Sequence, residues 1–181
     1  MVVKGSLPKD QFEVTKKAFG MWIARVQLRE VDNEVEFIEL SLDHEPTDLD
    51  FSKMKEDWVN MNKTLLVNSV VEHDTSSVVN GFYLNDTLAW INKADRVGLV
   101  NSINIEKLAG KTETTLFLNG NPFVVSLDSA IQILSSIELY ALDCYRRTEE
   151  HKIAISNLST IEDVENYDYT TGYPEKLRFE V

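Results

Sequence analysis

The sequence predicts an α+β protein: an N-terminal β-hairpin plus helix, then a C-terminal unit of two short hairpins, a middle helix and a long helix. Three observations indicate this class. Apolar and polar residues alternate near the N-terminus, apolar residues recur at spacings of three and four further on, and Asn-Asp and Asn-Gly pairs lie where hairpins would turn. We expect one part over residues 1–67 and a second over 68–181, with packing as one unit as the alternative.

The first part begins with residues 1–17, which we interpret as an arm leading into the fold. Apolar and polar residues then alternate over 19–31 and again over 34–42, with a slip at Ile38. The Asp-Asn pair at 32–33 is a tight-turn signal between these two runs. The pattern therefore predicts a hairpin.

A helix is predicted after Pro46, because Thr47 is a good N-cap and Asp50 stands three residues later. One face of this helix would carry five apolar residues, Phe51, Met54, Trp58, Met61 and Leu65. We expect that face to pack on the hairpin, and an exposed partner-binding face is the alternative. Residues 68–78 are polar and β-branched, so we interpret them as the connector between the parts.

The second part opens with predicted strands at 78–84 and 87–91 around the turn Asn85-Asp86. Asn92 is then expected to cap a helix that ends at Gly110. A second hairpin is predicted from strands at 112–118 and 123–125 around Asn119-Gly120.

A long helix is predicted from Leu127 to about Leu158, capped by Ser126 or Asp128. Thr160 then begins a short helical turn, and residues 177–181 are expected to add an edge strand. Cys144, the one cysteine, lies within the long helix and is expected to be a packed apolar residue.

The formal net charge of −12 restricts the partners of this protein. A surface this negative repels phosphate groups and anionic lipid headgroups, so we expect no nucleic-acid partner and no membrane partner. We find no signal-peptide pattern and no apolar run of membrane-spanning length. The expected location is therefore a cytoplasm, unless a particle carries the protein elsewhere.

A search for catalytic chemistry predicts no enzyme and no catalytic, cofactor-binding or metal-binding residues. The three histidines, His44, His73 and His151, lack metal-ligand spacing, and we interpret them as solvent-exposed residues beside acids. Nucleophile elbows and phosphate-binding loops are absent from the sequence. A metal-dependent hydrolase that uses His44 and His73 is a weaker alternative.

Aromatic residues give the candidate contact sites. Trp22, Trp58 and Trp90 each lie in an apolar stretch and are expected in the core. The candidate interface residues are Tyr167, Tyr169 and Tyr173 in a polar C-terminal segment, and Phe12 in the N-terminal arm. Tyrosine provides a large contact area at low entropic cost. The three tyrosines could equally pin the segment to the domain's own surface.

Residues of about 78–178 resemble a domain of unknown function found in Bacteroides phages and prophages. The resemblance rests on four motifs. A strand pair ending in Trp90 precedes a Lys-x-x-Arg helix start at 93–96; Gly110 and a hairpin follow; Glu-Leu-Tyr-Ala stands at 138–141 with His151 beyond it. The segment Tyr-Asp-Tyr-Thr-x-Gly-Tyr-Pro at 167–174 closes the match.

Genes of that family tend to lie among tail and tail-fibre genes. The resemblance therefore implies a virion structural protein of the tail or the tail–neck joint, present in several symmetric copies beside other phage structural proteins. It implies a location in the virion, with the host cytoplasm during assembly. A tail-fibre assembly chaperone that leaves before maturation is the alternative. The family has no catalytic residues or cofactors to carry over.

Overall fold

The structure, a computed structural model, describes residues 2–5, 12–16, 20–31 and 34–181. It confirms the predicted α+β class. The chain forms two compact units: the described residues of Met1–Leu66 with Ile155–Tyr167, and Val67–Ala154 with Asp168–Val181. The expected division after residue 67 differs from these units, since residues 155–167 belong to the first.

The first unit contains a four-stranded antiparallel sheet in the order β1-β4-β3-β2. Its strands are β1 (Val2–Gly5), β2 (Phe12–Lys16), β3 (Trp22–Val31) and β4 (Glu34–Leu42). The predicted hairpin is confirmed as β3 and β4, whereas its Asp32-Asn33 turn lies outside the described residues. The prediction of an N-terminal arm is wrong for 2–5 and 12–16, because these strands satisfy the backbone groups on both outer sides of the hairpin.

Ala24 and Val26 of β3 form the core of this unit with Phe51 and Met54 of the following helix. The pairing register shifts between residues 27 and 29 of β3, one strand away from the slip predicted at Ile38. Leu40, which pairs with Ala24, is 43% exposed, so the predicted alternation does not bury every apolar residue of β4.

Helix α1 (Asp48–Asp74) begins at the predicted capping box. The backbone N–H of Thr47 donates to Asp50 Oδ2 at 2.8 Å, and the backbone N–H of Asp50 points back to Thr47 Oγ1 at 3.4 Å. The helical face is buried at Phe51 and Met54, but Met61 and Leu65 are exposed, so the expected core packing ends midway.

The connector predicted at 68–78 is wrong, because α1 continues through it to Asp74. No glycine or proline interrupts residues 68–74, and a β-branched residue costs a helix less than ~1 kcal/mol. Burial of Val70, which is 0% exposed, offsets that cost. The helix therefore passes from the first compact unit into the second.

The remaining elements are α2 (Ser77–Asn80), β5 (Phe82–Leu84), β6 (Thr87–Ala89), α3 (Lys93–Leu108), β7 (Glu113–Leu118), β8 (Asn121–Ser126), α4 (Leu127–Asn157), α5 (Ile161–Glu165) and β9 (Arg178–Phe179). All but α5 contribute to the second unit. The strands predicted at 78–84 and 87–91 are shorter than expected, since 77–80 form α2 and β6 ends at Ala89. The edge strand predicted over 177–181 is reduced to two residues, which pair in parallel with β5.

The predicted turns and caps of these elements are confirmed. The turn residues Asn85, Asp86 and Asn119 have positive φ angles, and Gly120 has φ +80°. Caps lie at Asn92, Ser126 and Thr160, and Gly110 follows α3 with φ +79°. The core of the second unit joins β5–β8 to α3 and the first turns of α4.

Candidate interaction surfaces

The C-terminal tyrosine segment lies against helices of its own unit. Tyr173 packs on Val79, Tyr140 and Cys144, and its hydroxyl lies 3.0 Å from Thr148 Oγ1. These contacts favour the pinning interpretation for Tyr173. Its role in a partner interface stays a prediction.

Tyr169 is half-buried and meets the ring of His73 edge-on, with 5.7 Å between the ring centres. His73 also lies edge-on to Tyr173, at 5.4 Å. His73 therefore stands in the last turn of α1 against two of the candidate tyrosines, and not in the connector predicted over residues 68–78. Tyr167 belongs to the first unit and is half-buried. Phe12 lies in β2, opposite Val26, and its side chain is outside the described residues.

His151 is buried, which corrects its interpretation as a surface residue. Only 1% of it is exposed, and its Nε2–H donates to the carbonyl oxygen of Thr171 at 3.0 Å. Burial lowers the pKa of His151 below its ordinary value of 6.5. A sequence signal existed, since Cys144, Thr148, His151 and Ile155 continue one buried helical stripe at spacings of four, three and four.

Residues of the Lys-x-x-Arg segment at 93–96 and of the Glu-Leu-Tyr-Ala segment at 138–141 make contacts across the second unit. Arg96 Nε donates to Glu138 Oε1 at 2.7 Å, and the hydroxyl of Tyr140 donates to the carbonyl oxygen of Val79 at 2.7 Å. Arg96 is 5% exposed and donates a second hydrogen bond to the carbonyl oxygen of Ile91. Several motif residues thus hold the second unit together, and their spacing reflects packing.

An open groove of about 420 Å³ lies on the second unit above the Arg96–Glu138 pair. Three exposed apolar side chains stand around it: Trp90, Leu142 and Tyr145, which are 42%, 43% and 52% exposed. The expectation that Trp90 belongs to the core is therefore wrong. Trp90 follows β6, which ends at Ala89, and therefore does not lie on the buried face of that strand.

A wider polar cleft of about 1020 Å³ lies within the first unit, between β3, α1 and the residues around α5. Two of its cations have protein partners within the unit. Arg29 forms ion pairs with Glu36 and Glu165 at 2.8 and 2.9 Å, and Lys63 Nζ donates to the carbonyl oxygen of Ser156. Arg29 and Lys63 are thus engaged in contacts within the first unit.

The remaining candidate of the search for catalytic chemistry is His44. His44 is exposed between Asp43 and Asp50, and the hydrogen bond that His44 Nδ1–H donates to the Asp43 carboxylate raises the pKa of His44. His44 and His73 belong to different compact units. Among the described residues, no group of three or more His, Cys, Asp or Glu side chains could hold a metal ion. None of their helices is long and apolar enough to cross a membrane.

Comparison with protein-family models, with curated proteins and with solved structures finds no significant match to this chain. The fold and its surfaces define an α+β protein of two compact units, the second of which exposes aromatic and aliphatic side chains around a groove.

Proposed function

We propose that this protein is a bacteriophage virion structural protein of the tail or the tail–neck joint, which acts by protein–protein assembly and not by catalysis. The observation that carries the proposal is the resemblance over residues of about 78–178 to a domain whose genes lie among tail genes. Its partners are other phage structural proteins, in several symmetric copies. Its place is the virion, reached through the host cytoplasm.

The exposed groove residues Trp90, Leu142 and Tyr145 support an assembly role. Aromatic side chains that are half-exposed around a concave surface are typical of the central residues of protein interfaces. The same groove also supports a tail-fibre assembly chaperone, since about 420 Å³ can accept side chains of a partner segment held only during assembly.

Mass spectrometry of purified particles of the encoding phage distinguishes the two roles. A structural protein is expected in finished particles at a fixed copy number. A chaperone is expected to co-purify with a fibre protein from infected cells and to be missing from particles. Absence of this chain from both finished particles and fibre-protein complexes would overturn the proposal.

A variant test connects this result to the groove. Trp90→Ala with Tyr145→Ala should lower incorporation into particles while the melting temperature of the purified chain falls by only a few degrees, because both side chains are about half exposed. Phe117→Ala is the matched control, since Phe117 is 72% exposed on β7, outside the groove. Equal incorporation of all variants would remove the groove from the assembly role.

A further inference from the structure

Helix α4 carries a second stripe of side chains on the side opposite its buried one. The stripe consists of Leu139, Leu142, Arg146, Glu149 and Ile153, at spacings of three, four, three and four. Leu139, Leu142 and Ile153 are 66%, 43% and 63% exposed. All five residues belong to the second compact unit.

Spacings of three and four are those of the contact seam between two helices packed side by side. The last four members of the stripe are Leu142, Arg146, Glu149 and Ile153. The two apolar residues flank the positively charged Arg146 and the negatively charged Glu149. The order apolar, positive, negative, apolar is self-complementary when the same helix runs antiparallel to itself. A pairing that places Leu142 opposite Ile153 also places Arg146 opposite Glu149.

We infer that a second copy of this chain packs on this stripe, with the two α4 helices antiparallel around a two-fold axis. In such an isologous interface every contact occurs twice. One axis therefore gives two Leu142–Ile153 contacts and two Arg146–Glu149 ion pairs. Like charges would be opposed in a register that placed Arg146 opposite Arg146, which disfavours that alternative.

The charged side chains of the stripe have capacity for a partner. Arg146 Nη1 donates to Asp143 within its own helix at 2.8 Å, and Glu149 Oε1 accepts from Lys152 at 2.7 Å. A guanidinium has five N–H donors and a carboxylate has two acceptor oxygens. Both local pairs can therefore persist while Arg146 and Glu149 meet across the axis.

The inference deepens the assembly role and rests on that proposed function for its place in a particle. Its test needs only the purified full chain. A monomeric chain found in virions would overturn the dimer and leave the proposed function standing. A dimeric chain that is missing from both particles and fibre complexes would overturn the proposed function and leave the dimer standing.

Sedimentation equilibrium at several protein concentrations tests the pairing through charge reversal. The wild-type chain is expected to reach twice the monomer mass. Arg146→Glu places like charges at two symmetry-related contacts and should weaken the dimer by about tenfold or more. The double variant Arg146→Glu/Glu149→Arg exchanges the charges and should restore the dimer.

Lys111→Glu is the matched control, because it changes the net charge by the same amount on an exposed side chain after α3 and should leave the dimer unchanged. Leu142→Asp supplies a second variant that should yield monomers with unchanged circular dichroism. A monomeric wild-type chain would overturn the inference, as would a dimer insensitive to Arg146→Glu and Leu142→Asp. Failure of the double variant to recover would also overturn this register.

Discussion

Arg96 and Glu138 form an ion pair across the second unit, with 2.7 Å between Arg96 Nε and Glu138 Oε1. The Arg96 side chain is 6% exposed, whereas that of Glu138 is 39% exposed. The guanidinium is thus largely desolvated, and its compensation comes from Glu138 and the carbonyl oxygen of Ile91. The pair connects α3 to α4 below the groove.

Removing the carboxylate should leave a buried cation without its main partner. Glu138→Ala is expected to lower the free energy of unfolding by about 1–3 kcal/mol, less than for a fully buried pair because solvent reaches Glu138. Urea denaturation followed by circular dichroism measures this loss. Lys111→Ala, which breaks the exposed Lys111–Glu106 pair, is the control and should cost under ~1 kcal/mol. Equal costs would contradict the structural role of Arg96–Glu138.

Two features disfavour a side chain at position 172. Its φ of +80° is in the left-handed region, and an added Cβ would collide with the guanidinium of Arg147. Gly110 has φ +79° with open space around it, so Gly110→Ala reports the backbone strain alone, about 1 kcal/mol. Gly172→Ala should cost up to about 1 kcal/mol more by urea denaturation, because the flexible Arg147 side chain can move aside but then loses its hydrogen bond to the carbonyl oxygen of Thr171. Matching losses would show that Arg147 moves aside freely.

Tyr173 should contribute to the stability of the fold as well as to any interface. Tyr173→Ala removes contacts with the cluster of Val79, Tyr140 and Cys144 and is expected to cost about 2–4 kcal/mol. Tyr173→Phe keeps the ring and removes only the hydroxyl contact with Thr148, at about 1 kcal/mol. Thermal unfolding separates the two. An unchanged melting temperature in Tyr173→Ala would return this residue to the partner-interface interpretation.

Local signals specified the caps and turns of the second unit and the long helix. Asn92, Thr160 and Asn119-Gly120 specify their caps and turn through short-range hydrogen bonds and positive φ angles, so their positions are readable from neighbouring residues. The long helix α4 was predictable to within a residue or two at its end, because its buried stripe repeats over many turns.

Long-range packing was not readable in the same way. Residues 68–74 look like a connector by propensity, yet burial of Val70 keeps them helical. The burial of His151 and the pairing of Arg96 with Glu138 depend on segments far apart in sequence. Such contacts have no local signature, so the candidate tyrosines could be found from the sequence but their packing partners could not.

Cys144 should be unreactive in the folded chain. It is 0% exposed, and burial raises the pKa of its thiol to about 11, so almost no thiolate exists at neutral pH. A thiol-specific disulfide reagent should therefore label the chain only after unfolding in urea. The labelling rate against urea concentration should follow the unfolding curve. Rapid labelling without urea would show that the packing of α4 around Cys144 opens locally.

His151 should make the protein less stable in acid. Burial lowers the folded-state pKa of His151 below the ordinary 6.5, despite the hydrogen bond to Thr171 and the nearby carboxylates of Glu150 and Asp168. Below pH 6.5 the unfolded chain therefore takes up a proton at this site more readily than the folded chain. Stability present above this pH is lost as the pH falls through 6.5 toward the folded pKa.

The pH slope of the melting temperature isolates this effect. His151→Gln should be less stable at neutral pH, since it replaces a buried ring, but its melting temperature should fall less between neutral and mildly acidic pH than that of the wild type. His44→Gln is the control. The pKa of His44 is raised by Asp43, so its contribution is present below pH 6.5 and is lost as the pH rises. Removing His44 therefore cannot reduce the fall in melting temperature at acidic pH. If the melting temperatures of the wild type and of His151→Gln fell equally with pH, His151 would take up its proton without cost in the folded chain.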